Sequence, residues 1–254
     1  MTDEVLTSQE DGILTITLNR PKAKNAANKA LSDQVAAAMD ELESNDSLRV
    51  AILTGAGGTF CSGMDLKAFV TGETPFVEGR GFAGLTEYRS SKPIIAAVEG
   101  YALAGGFELA ISCDMIVAAD DSMFGIPEVK RGLAAAAGGL VKLPRQISPR
   151  IAMELALTGD FISSQRAYEL GLINQVVASG TALDAAKTLA AKIAANGPLA
   201  VAASLKAVSC AQDWSSDEMF AKQAEIVNPV FTSLDAIEGA TAFAEKRAPN
   251  WQGK

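Results

Sequence analysis

The order of apolar segments predicts an α/β protein. Short β-rich runs alternate with segments of helical period through the first half of the chain, whereas the second half is patterned mostly as helix. With 254 residues the chain can form one large domain or two small ones, and it is long enough to bury a sizeable core. Hydrophobic residues make up 48% of the chain, whereas a disordered chain would be poorer in them, so a disordered protein is excluded.

The first predicted strand covers residues 13–18, where apolar residues alternate with threonines. Asn28 is suited to cap the helix that follows. Apolar residues recur in that helix at a helical spacing, at Leu31, Val35, Met39 and Leu42. A second strand at 50–53 then ends in a glycine-rich turn at 54–58.

The middle of the chain repeats this alternation. Pro93 introduces a strand at 94–98, a helix fits residues 104–112, and a further strand fits 114–118. By contrast, the glycine-rich segment 71–84 has no regular period, and we expect it to be a mobile loop. Strand, helix, strand and helix in succession predict an α/β core.

Beyond Gly138-Gly139 the pattern becomes mostly helical. A short strand is predicted at 175–177, and Gly197-Pro198 marks a soft boundary. We therefore expect an α/β core at 1–197 and a helical region at 198–254. The helical patterns of the second half lie around 155–157 and at 181–195, 199–210 and 234–246.

Composition excludes several classes of function. The chain has no histidine, so it has no Ser-His-Asp triad, no Cys-His pair and no histidine-bound zinc. Acid and base chemistry must therefore use Asp, Glu, Lys, Tyr or Cys. The net charge of −8 also argues against a general nucleic-acid binder.

The remaining composition favours a reducing compartment. Cys61, Cys113 and Cys210 are far apart with no CxxC motif, and we expect three buried thiols. The first twelve residues are acidic and polar, unlike a signal peptide. The most apolar region, 93–119, is interrupted by acidic residues and makes a poor membrane span. These features predict a soluble, cytoplasmic protein without a membrane partner.

One motif is misleading. Residues 79–84 match GxGxxG, but a dinucleotide site needs a strand directly before that motif and a helix directly after it. Residues 74–78 are too short and too broken by proline to form a central strand, so a flexible loop is the better interpretation. The chain also has no GxxxxGK[ST] phosphate-binding loop and no GxSxG nucleophile elbow.

Two turns lead into predicted helices and leave backbone N–H groups free. In the first, residues 60–67, Asp65 is positioned to open a helix. In the second, residues 100–108, Gly105-Gly106 would let a ligand approach the backbone closely. Free N–H groups at such turns can bind an anion or a developing oxyanion, although an ordinary capped turn has the same pattern.

Two glutamates stand at predicted helix starts. Glu108 lies in an otherwise apolar stretch, where a carboxylate is costly unless it is paired or used. Glu128 follows Pro127, which suits the first helical position. Two carboxylates in one apolar site can form an acid and base pair. A helix-capping role for Glu108 and a solvated surface position for Glu128 are the alternatives.

Taken together, these segments resemble the enoyl-CoA hydratase (crotonase) superfamily, and the resemblance runs through nearly the whole chain. Six segments occur in the order of that family. They are Asn19-Arg20-Pro21 with Asn25-Ala26, then 60–66, 92–100, 100–109, 124–128 with Gly132-Leu133 and Gly138-Gly139, and 243–249.

The resemblance implies a crotonase-like spiral of repeated ββα units with a C-terminal helical region that assembles trimers, often paired into hexamers. It also implies acyl-CoA thioesters as substrates and no cofactor, since coenzyme A is part of the substrate. The backbone N–H groups of Met64 and Gly105 would form an oxyanion hole for the thioester carbonyl. This hole is shared across the superfamily, so it indicates the substrate class rather than the reaction.

The reaction depends on the two glutamates. Glu108 and Glu128 match the two positions that hydratases of this superfamily fill with glutamate. The resemblance implies that Glu108 deprotonates the attacking water and that Glu128 protonates the α-carbon, within a pair that titrates together. The expected activity is reversible syn addition of water to a trans-2-enoyl-CoA.

Three other activities remain open from the sequence. Two are enzymatic: dehydration of a specialised acyl-CoA of the carnitinyl type, and double-bond isomerisation. The third is acyl-CoA binding without catalysis, although retention of both glutamates argues against it.

Coenzyme A carries several negative charges, so an acidic protein needs local basic residues to bind it. The residues expected to contact it lie in the loops that match the family and at the C-terminal end of the chain. They are Lys24, Ala26, Asp65, Leu66, Lys67 and Lys246. Lys246 could come from this chain or from another subunit. Solvated surface lysines are the alternative for some of them.

The sequence also departs from the family pattern. Met64 replaces a common alanine, and its side chain is expected to shape the acyl pocket. Ala104 replaces a common glycine, which should be tolerated if the backbone there is helical.

Overall fold

The fold is built on a six-stranded sheet, seen in a computed structural model that describes residues 3–254. The outer pair, β1 and β2, is antiparallel, and every later strand is added parallel to its neighbour. The strands lie side by side in this order: β1 (Val5–Glu10), β2 (Ile13–Leu18), β3 (Val50–Gly55), β6 (Ile94–Val98), β8 (Met115–Ala119) and β11 (Gln175–Val177).

Two smaller sheets complete the strand set. One pairs β4 (Phe76–Val77) with β5 (Gly81–Phe82) as a hairpin. The other orders β10 (Ile162–Ser163), β9 (Met123–Gly125) and β7 (Tyr101–Leu103).

The helices follow the strands early and dominate later. They are α1 (Lys29–Ser44), α2 (Leu66–Val70), α3 (Gly105–Ala110), α4 (Gly139–Gln146), α5 (Pro149–Thr158), α6 (Ser164–Glu169), α7 (Ala182–Ala194), α8 (Pro198–Cys210), α9 (Met219–Phe231) and α10 (Leu234–Glu245). Short 3₁₀ turns lie at Pro21–Ala23, Pro127–Arg131 and Ala211–Asp213.

The central sheet is buried on both faces because successive side chains point to opposite sides. Ile52 and Ile95 pack against Ala186 and Ala190 of α7, where the small alanine side chains let the helix approach closely. The other face joins a larger core that contains α1, α3 and α4. The candidate site lies on the side of this larger core.

Most sequence-predicted elements are confirmed. The strands at 13–18 and 94–98 have the predicted bounds, and the Asn28 side chain accepts the Leu31 N–H and caps α1. The helix expected at 104–112 is shorter, at Gly105–Ala110.

Six strands were not predicted: β1, β4, β5, β7, β9 and β10. Strands β4, β5 and β10 are only two residues long. In β1 only Val5 is buried, so a polar edge strand carries little apolar signal. Strands β7 and β9 are three residues long, too short for a period to register. The segment 71–84 is not irregular throughout, because it contains the β4–β5 hairpin and buries Phe82 and Ala83. Its expected mobility remains a prediction.

The cysteine prediction is partly wrong. All three thiols are free, and Cys61 and Cys113 are buried, but Cys210 is only half-buried. Cys210 ends α8, a helix that buries none of its residues in this chain.

The helices were also compared with the requirements of a membrane span. Within residues 3–254, no single helix is both long and apolar enough to cross a membrane. The pair Ala182–Ala194 and Pro198–Asp213 meets the length and composition test only when taken together, and it is bent by 111°.

Candidate active site

Two loops meet at the carboxyl ends of β2 and β3. The fully buried Asn25 holds the first loop in place: its side-chain amide donates to the carbonyls of Ala56 (2.9 Å) and Thr59 (2.6 Å), and its oxygen accepts the Arg20 N–H. The Ala27 N–H donates to Gly63, and the Asp65 N–H donates to Ala27. Segments 24–27 and 62–65, which the sequence assigned to the same ligand, therefore lie side by side.

Asp65 joins these loops to α2. Its carboxylate accepts the N–H groups of Lys67 (3.0 Å) and Ala68 (3.3 Å), which confirms that it opens a helix. The Arg20 guanidinium contacts the same carboxylate at 2.9 Å and donates to the Ala26 carbonyl. Partial burial raises the pKa of Asp65, but Arg20 and the two N–H groups outweigh it and hold that pKa below its usual range.

The two predicted oxyanion donors are neighbours in space. Neither the Met64 N–H nor the Gly105 N–H donates to a protein acceptor in the described part of the chain. A Cβ built on Gly63 would lie 3.2 Å from the Gly105 nitrogen and 3.1 Å from the Leu103 carbonyl. Only glycine therefore lets the turn that carries the Met64 N–H approach the start of α3 so closely.

An aromatic ring packs beside the second donor. A Cβ on Gly105 would meet the Phe82 ring at 2.5 Å, so Phe82 packs directly on the α-carbon of Gly105. Phe82 is buried and makes an edge-to-face contact with Phe76, with ring centroids 5.8 Å apart. The hairpin β4–β5 thus forms one wall beside the Gly105 N–H.

Ala104 contradicts the expectation of a helical backbone. It precedes α3 with φ 52° and ψ −131°, a conformation that favours glycine. Its Cβ lies 2.8 Å from the position that a Gly63 Cβ would occupy. Ala104 is therefore strained at the turn that presents the Gly105 N–H.

Glu108 is held from one side only. It is 2% exposed, and its Oε1 accepts the N–H groups of Ala137 and Gly139, both at 2.8 Å. Burial raises the pKa of Glu108, while these two N–H groups and the Lys142 ammonium oppose the rise. We predicted that a glutamate in this apolar helix must be paired or used, and the two hydrogen bonds confirm that it is paired.

Glu128 has the opposite surroundings. It lies in the 3₁₀ turn after Pro127, as predicted, and its Oε2 is buried with no hydrogen-bond partner in the described chain. Burial, with a smaller contribution from the charge of Glu108, raises the pKa of Glu128 to about 7. At neutral pH this carboxyl is therefore divided between its protonated and ionised forms.

The predicted coenzyme A contacts are only partly brought together. Lys24, Leu66 and Lys67 are exposed around the paired loops, and Ala26 is buried between them. The Lys24 ammonium stands 5.5 Å from the centre of the Tyr101 ring. Lys246 ends α10, and no hydrogen bond or ion pair of residues 3–254 joins its side chain to these loops.

Sequence reasoning missed three groups of the site. The Ala137 and Gly139 N–H groups were not assigned a role, although Gly138-Gly139 contributed to the family resemblance. Lys142 was not singled out, and the only signal available was that it lies one helical turn after Gly138.

Within residues 3–254 no three acidic or cysteine side chains are clustered in a way that could hold a metal ion.

Comparison with known proteins places the chain in a family. The model of the enoyl-CoA hydratase/isomerase family matches residues 8–254, and the chain belongs to that family. The crystal structure of an enoyl-CoA hydratase from Mycobacterium tuberculosis H37Rv has a TM-score of 0.97 and 62% identity, covering 99% of this chain and 100% of that one. The predicted crotonase-like α/β fold is confirmed by this match.

Two curated relatives carry different names. Enoyl-CoA hydratase EchA19 of Mycobacterium tuberculosis is 43% identical over 259 residues, 99% of this chain and 97% of that protein. Carnitinyl-CoA dehydratase of Proteus mirabilis is 42% identical over 250 residues, 95% of each chain.

Proposed function

We propose that this protein is an enoyl-CoA hydratase, a hydro-lyase that reversibly adds water across a trans-2-enoyl-CoA to give a 3-hydroxyacyl-CoA. The observation that carries the proposal is the contrast between the two glutamates. Glu108 is gripped by two N–H groups, whereas Glu128 presents a buried, unpartnered oxygen and has a pKa of about 7. A carboxylate base beside a carboxylic acid is what addition of water requires.

The proposed reaction uses both glutamates and the backbone donors. Glu108 takes a proton from water as the water oxygen bonds to the β-carbon. The electron pair of the double bond shifts toward the thioester oxygen, where the N–H groups of Met64 and Gly105 stabilise the enolate. Glu128 then donates its proton to the α-carbon. The water is consumed whole, and no cofactor beyond the coenzyme A of the substrate takes part.

The coenzyme A portion is proposed to lie along the paired loops. Lys24 and Lys67 are exposed there and can meet its phosphates. The backbone of Ala26, Asp65 and Leu66 belongs to the same paired loops. Lys246 is proposed to reach these loops from a neighbouring subunit.

We infer a homotrimer, or a hexamer made of two trimers, from the C-terminal helices 198–254. Helices α8 and α9 bury no residue within the chain. Large apolar side chains are exposed on α8 to α10, at Val208, Phe220, Phe231, Ile237 and Phe243. Sedimentation of the wild type beside a Phe220→Asp, Phe231→Asp variant tests this inference, since a monomeric wild type would contradict it.

The compartment is proposed to be the cytoplasm and the pathway fatty-acid β-oxidation. The unpaired state of all three cysteines supports a reducing compartment. The pathway follows from the proposed substrate class.

A second candidate function is dehydration of a carnitinyl-CoA-type substrate. It is favoured by one observation: the carnitinyl-CoA dehydratase relative is as similar, at 42%, as the enoyl-CoA hydratase relative, at 43%.

A substrate comparison tests both proposals. Purified protein is added to crotonyl-CoA, and the loss of enoyl thioester absorbance is followed beside a Glu128→Gln control. Carnitinyl-CoA is assayed in parallel by the gain of the same absorbance. Rapid loss that the control slows by roughly 10²–10⁴-fold supports the hydratase. Turnover of carnitinyl-CoA alone supports the second candidate. Binding of acyl-CoA without turnover of either substrate contradicts both.

A further inference from the structure

Lys142 is a half-buried lysine on α4, on the side of the large core. Its ammonium donates to the Thr86 carbonyl at 2.6 Å and to the Ser112 hydroxyl at 2.7 Å. These acceptors lie 56 and 30 residues away along the chain. One side chain therefore joins α4 to the segment after β5 and to the end of α3.

Each acceptor leads back to the candidate site. The Ser112 hydroxyl donates to the backbone carbonyl of Glu108 at 2.6 Å. The Thr86 hydroxyl accepts the Phe82 N–H at 2.9 Å, and the Phe82 ring packs on Gly105. Lys142 thus links the helix that carries Glu108 to the wall beside the Gly105 N–H.

The stem of Lys142 also supports the groups that grip Glu108. The Lys142 N–H donates to the Gly138 carbonyl at 2.8 Å. A Cβ on Gly138 would lie 3.3 Å from the Cδ and Cε atoms of Lys142, so the methylene chain packs over that residue. Gly138 stands between Ala137 and Gly139, whose N–H groups bind Glu108. A change in the Lys142 side chain should therefore shift Gly138, which lies between these two donors.

The charges around Lys142 come from two other elements. Glu108 faces it from α3, Asp114 and the uncharged, buried Cys113 thiol from the residues after that helix, and Glu87 and Arg89 from the segment that follows β5. Burial lowers the pKa of Lys142 and the charge of Arg89 adds to that shift, while the carboxylates of Glu108 and Glu87 oppose it. In turn the ammonium favours the ionised form of Glu108.

We propose that Lys142 is a positioning residue for the reaction. It holds in place the Ala137 and Gly139 N–H groups that bind Glu108, and its positive charge keeps Glu108 ready to act as a base. The proposal rests on the proposed function in that Glu108 is the base. A merely structural lysine would affect folding but would leave the ionisation of Glu108 unchanged. The ionisation of Glu108 is therefore the quantity to measure.

The variants separate charge from packing. Lys142→Met keeps the packing of the stem and removes the ammonium, and Lys142→Arg keeps a positive charge. Lys142→Gln, which keeps polar atoms without charge, is made in parallel so that the charge is tested even where Lys142→Met does not fold. Lys187→Met is the matched control, because Lys187 is a partly exposed helical lysine on α7, across the sheet, with 42% of its side chain exposed.

The first readout is the pH profile of turnover. Protonation of Glu108 sets the acid limb, so loss of the cation should move that limb upward by about one pH unit. We expect Lys142→Met to lower kcat about tenfold or more at neutral pH. Lys142→Arg should restore the acid limb, and Lys187→Met should match the wild type.

The second readout needs no turnover. The side-chain carboxyl carbons of glutamate are labelled with ¹³C, the Glu108 signal is assigned with Glu108→Gln, and its titration is followed in each variant. A higher midpoint in Lys142→Met and Lys142→Gln, reversed in Lys142→Arg, supports the proposal. A folded Lys142→Met with the wild-type midpoint overturns it. A wild type that turns over no acyl-CoA would sink the proposed function, while this titration would still decide the role of Lys142.

Discussion

The Gly139 N–H donates to Glu108 Oε1 at 2.8 Å, across 31 residues of sequence. The same oxygen accepts the Ala137 N–H, so two donors at and just before the start of α4 set the orientation of a carboxylate on α3. Glu108 is therefore positioned by backbone groups of another helix rather than by a side-chain partner. The packing of α3 against α4 thus controls where its other oxygen points.

Gly139→Ala should weaken turnover without unfolding the protein. Its φ lies in the ordinary range, but a Cβ would stand 3.1 Å from both Cγ and Oε1 of Glu108 and displace that side chain by a few tenths of an ångström. We expect kcat to fall about tenfold, because small displacements of a base are costly. Steady-state kinetics on crotonyl-CoA checks this. Gly239→Ala, which meets Trp251 at the same 3.1 Å in α10, is the control and should keep its kcat.

The pH dependence of activity should follow the glutamate pair. In the proposed reaction, water addition needs Glu108 ionised and Glu128 protonated, and the reverse reaction needs the opposite arrangement, so the pair would carry one proton in both directions. Because the pKa of Glu128 is raised to about 7, kcat should decline above pH 7 for hydration and for dehydration alike. A profile that stays flat from pH 7 to 9 in both directions would contradict this assignment.

Stability should carry the same signature. The folded-state pKa of Glu128 is raised above its usual value of 4.5, so the folded state prefers the protonated carboxyl. That contribution is complete below pH 4.5 and is lost as the pH rises through 7. Relative to the wild type, Glu128→Gln should therefore become more stable between pH 5 and pH 8. Urea unfolding at these two pH values measures the difference, and a constant difference would exclude the raised pKa.

Gly63→Ala should disable the proposed oxyanion hole. A Cβ at Gly63 would lie 2.8 Å from the Ala104 Cβ and 3.2 Å from the Gly105 nitrogen, at a φ of 100°. Displacement of one donor of an oxyanion hole lowers kcat by roughly 10²–10³-fold. Gly171→Ala separates the steric effect from backbone strain, since Gly171 has a φ of 77° and no atom within 4 Å of its Cβ position. Equal losses of kcat in both variants would refute the role of Gly63.

Ala104→Gly should stabilise the fold. The strain of Ala104 at φ 52° and ψ −131° costs on the order of 1–3 kcal/mol, and glycine would relieve it. The greater freedom of glycine in the unfolded chain offsets roughly 0.4–1 kcal/mol of this gain in stability. A net increase of about 1 kcal/mol in the free energy of unfolding is expected. Denaturant unfolding monitored by circular dichroism measures it, and a loss of stability would mean that the Ala104 Cβ contacts outweigh the strain.

Local patterns determined much of this protein from its sequence alone. Alternating apolar residues at 13–18 and the apolar run at 94–98 specify strands because side-chain period and β-branching act over a few residues. Asp65 opens α2 through its own neighbours, so its role was visible locally. The isolated Glu108 in an apolar helix indicated a buried, paired carboxylate for the same reason.

The tertiary structure decided what surrounds those residues. Hydrogen bonds join segments about 30 to 56 residues apart: those from Ala137 and Gly139 to Glu108, and that from Lys142 to Thr86. Such contacts depend on how α3, α4 and the β4–β5 hairpin pack, and no local period encodes that packing. Ala104 shows the same limit, because its strained backbone conformation, which an alanine does not favour, occurs at a close contact with the distant Gly63. Thus the resemblance to the family singled out the two glutamates that we propose as the acid and base pair, while long-range packing placed one of them among N–H donors and left the other with an unpartnered oxygen.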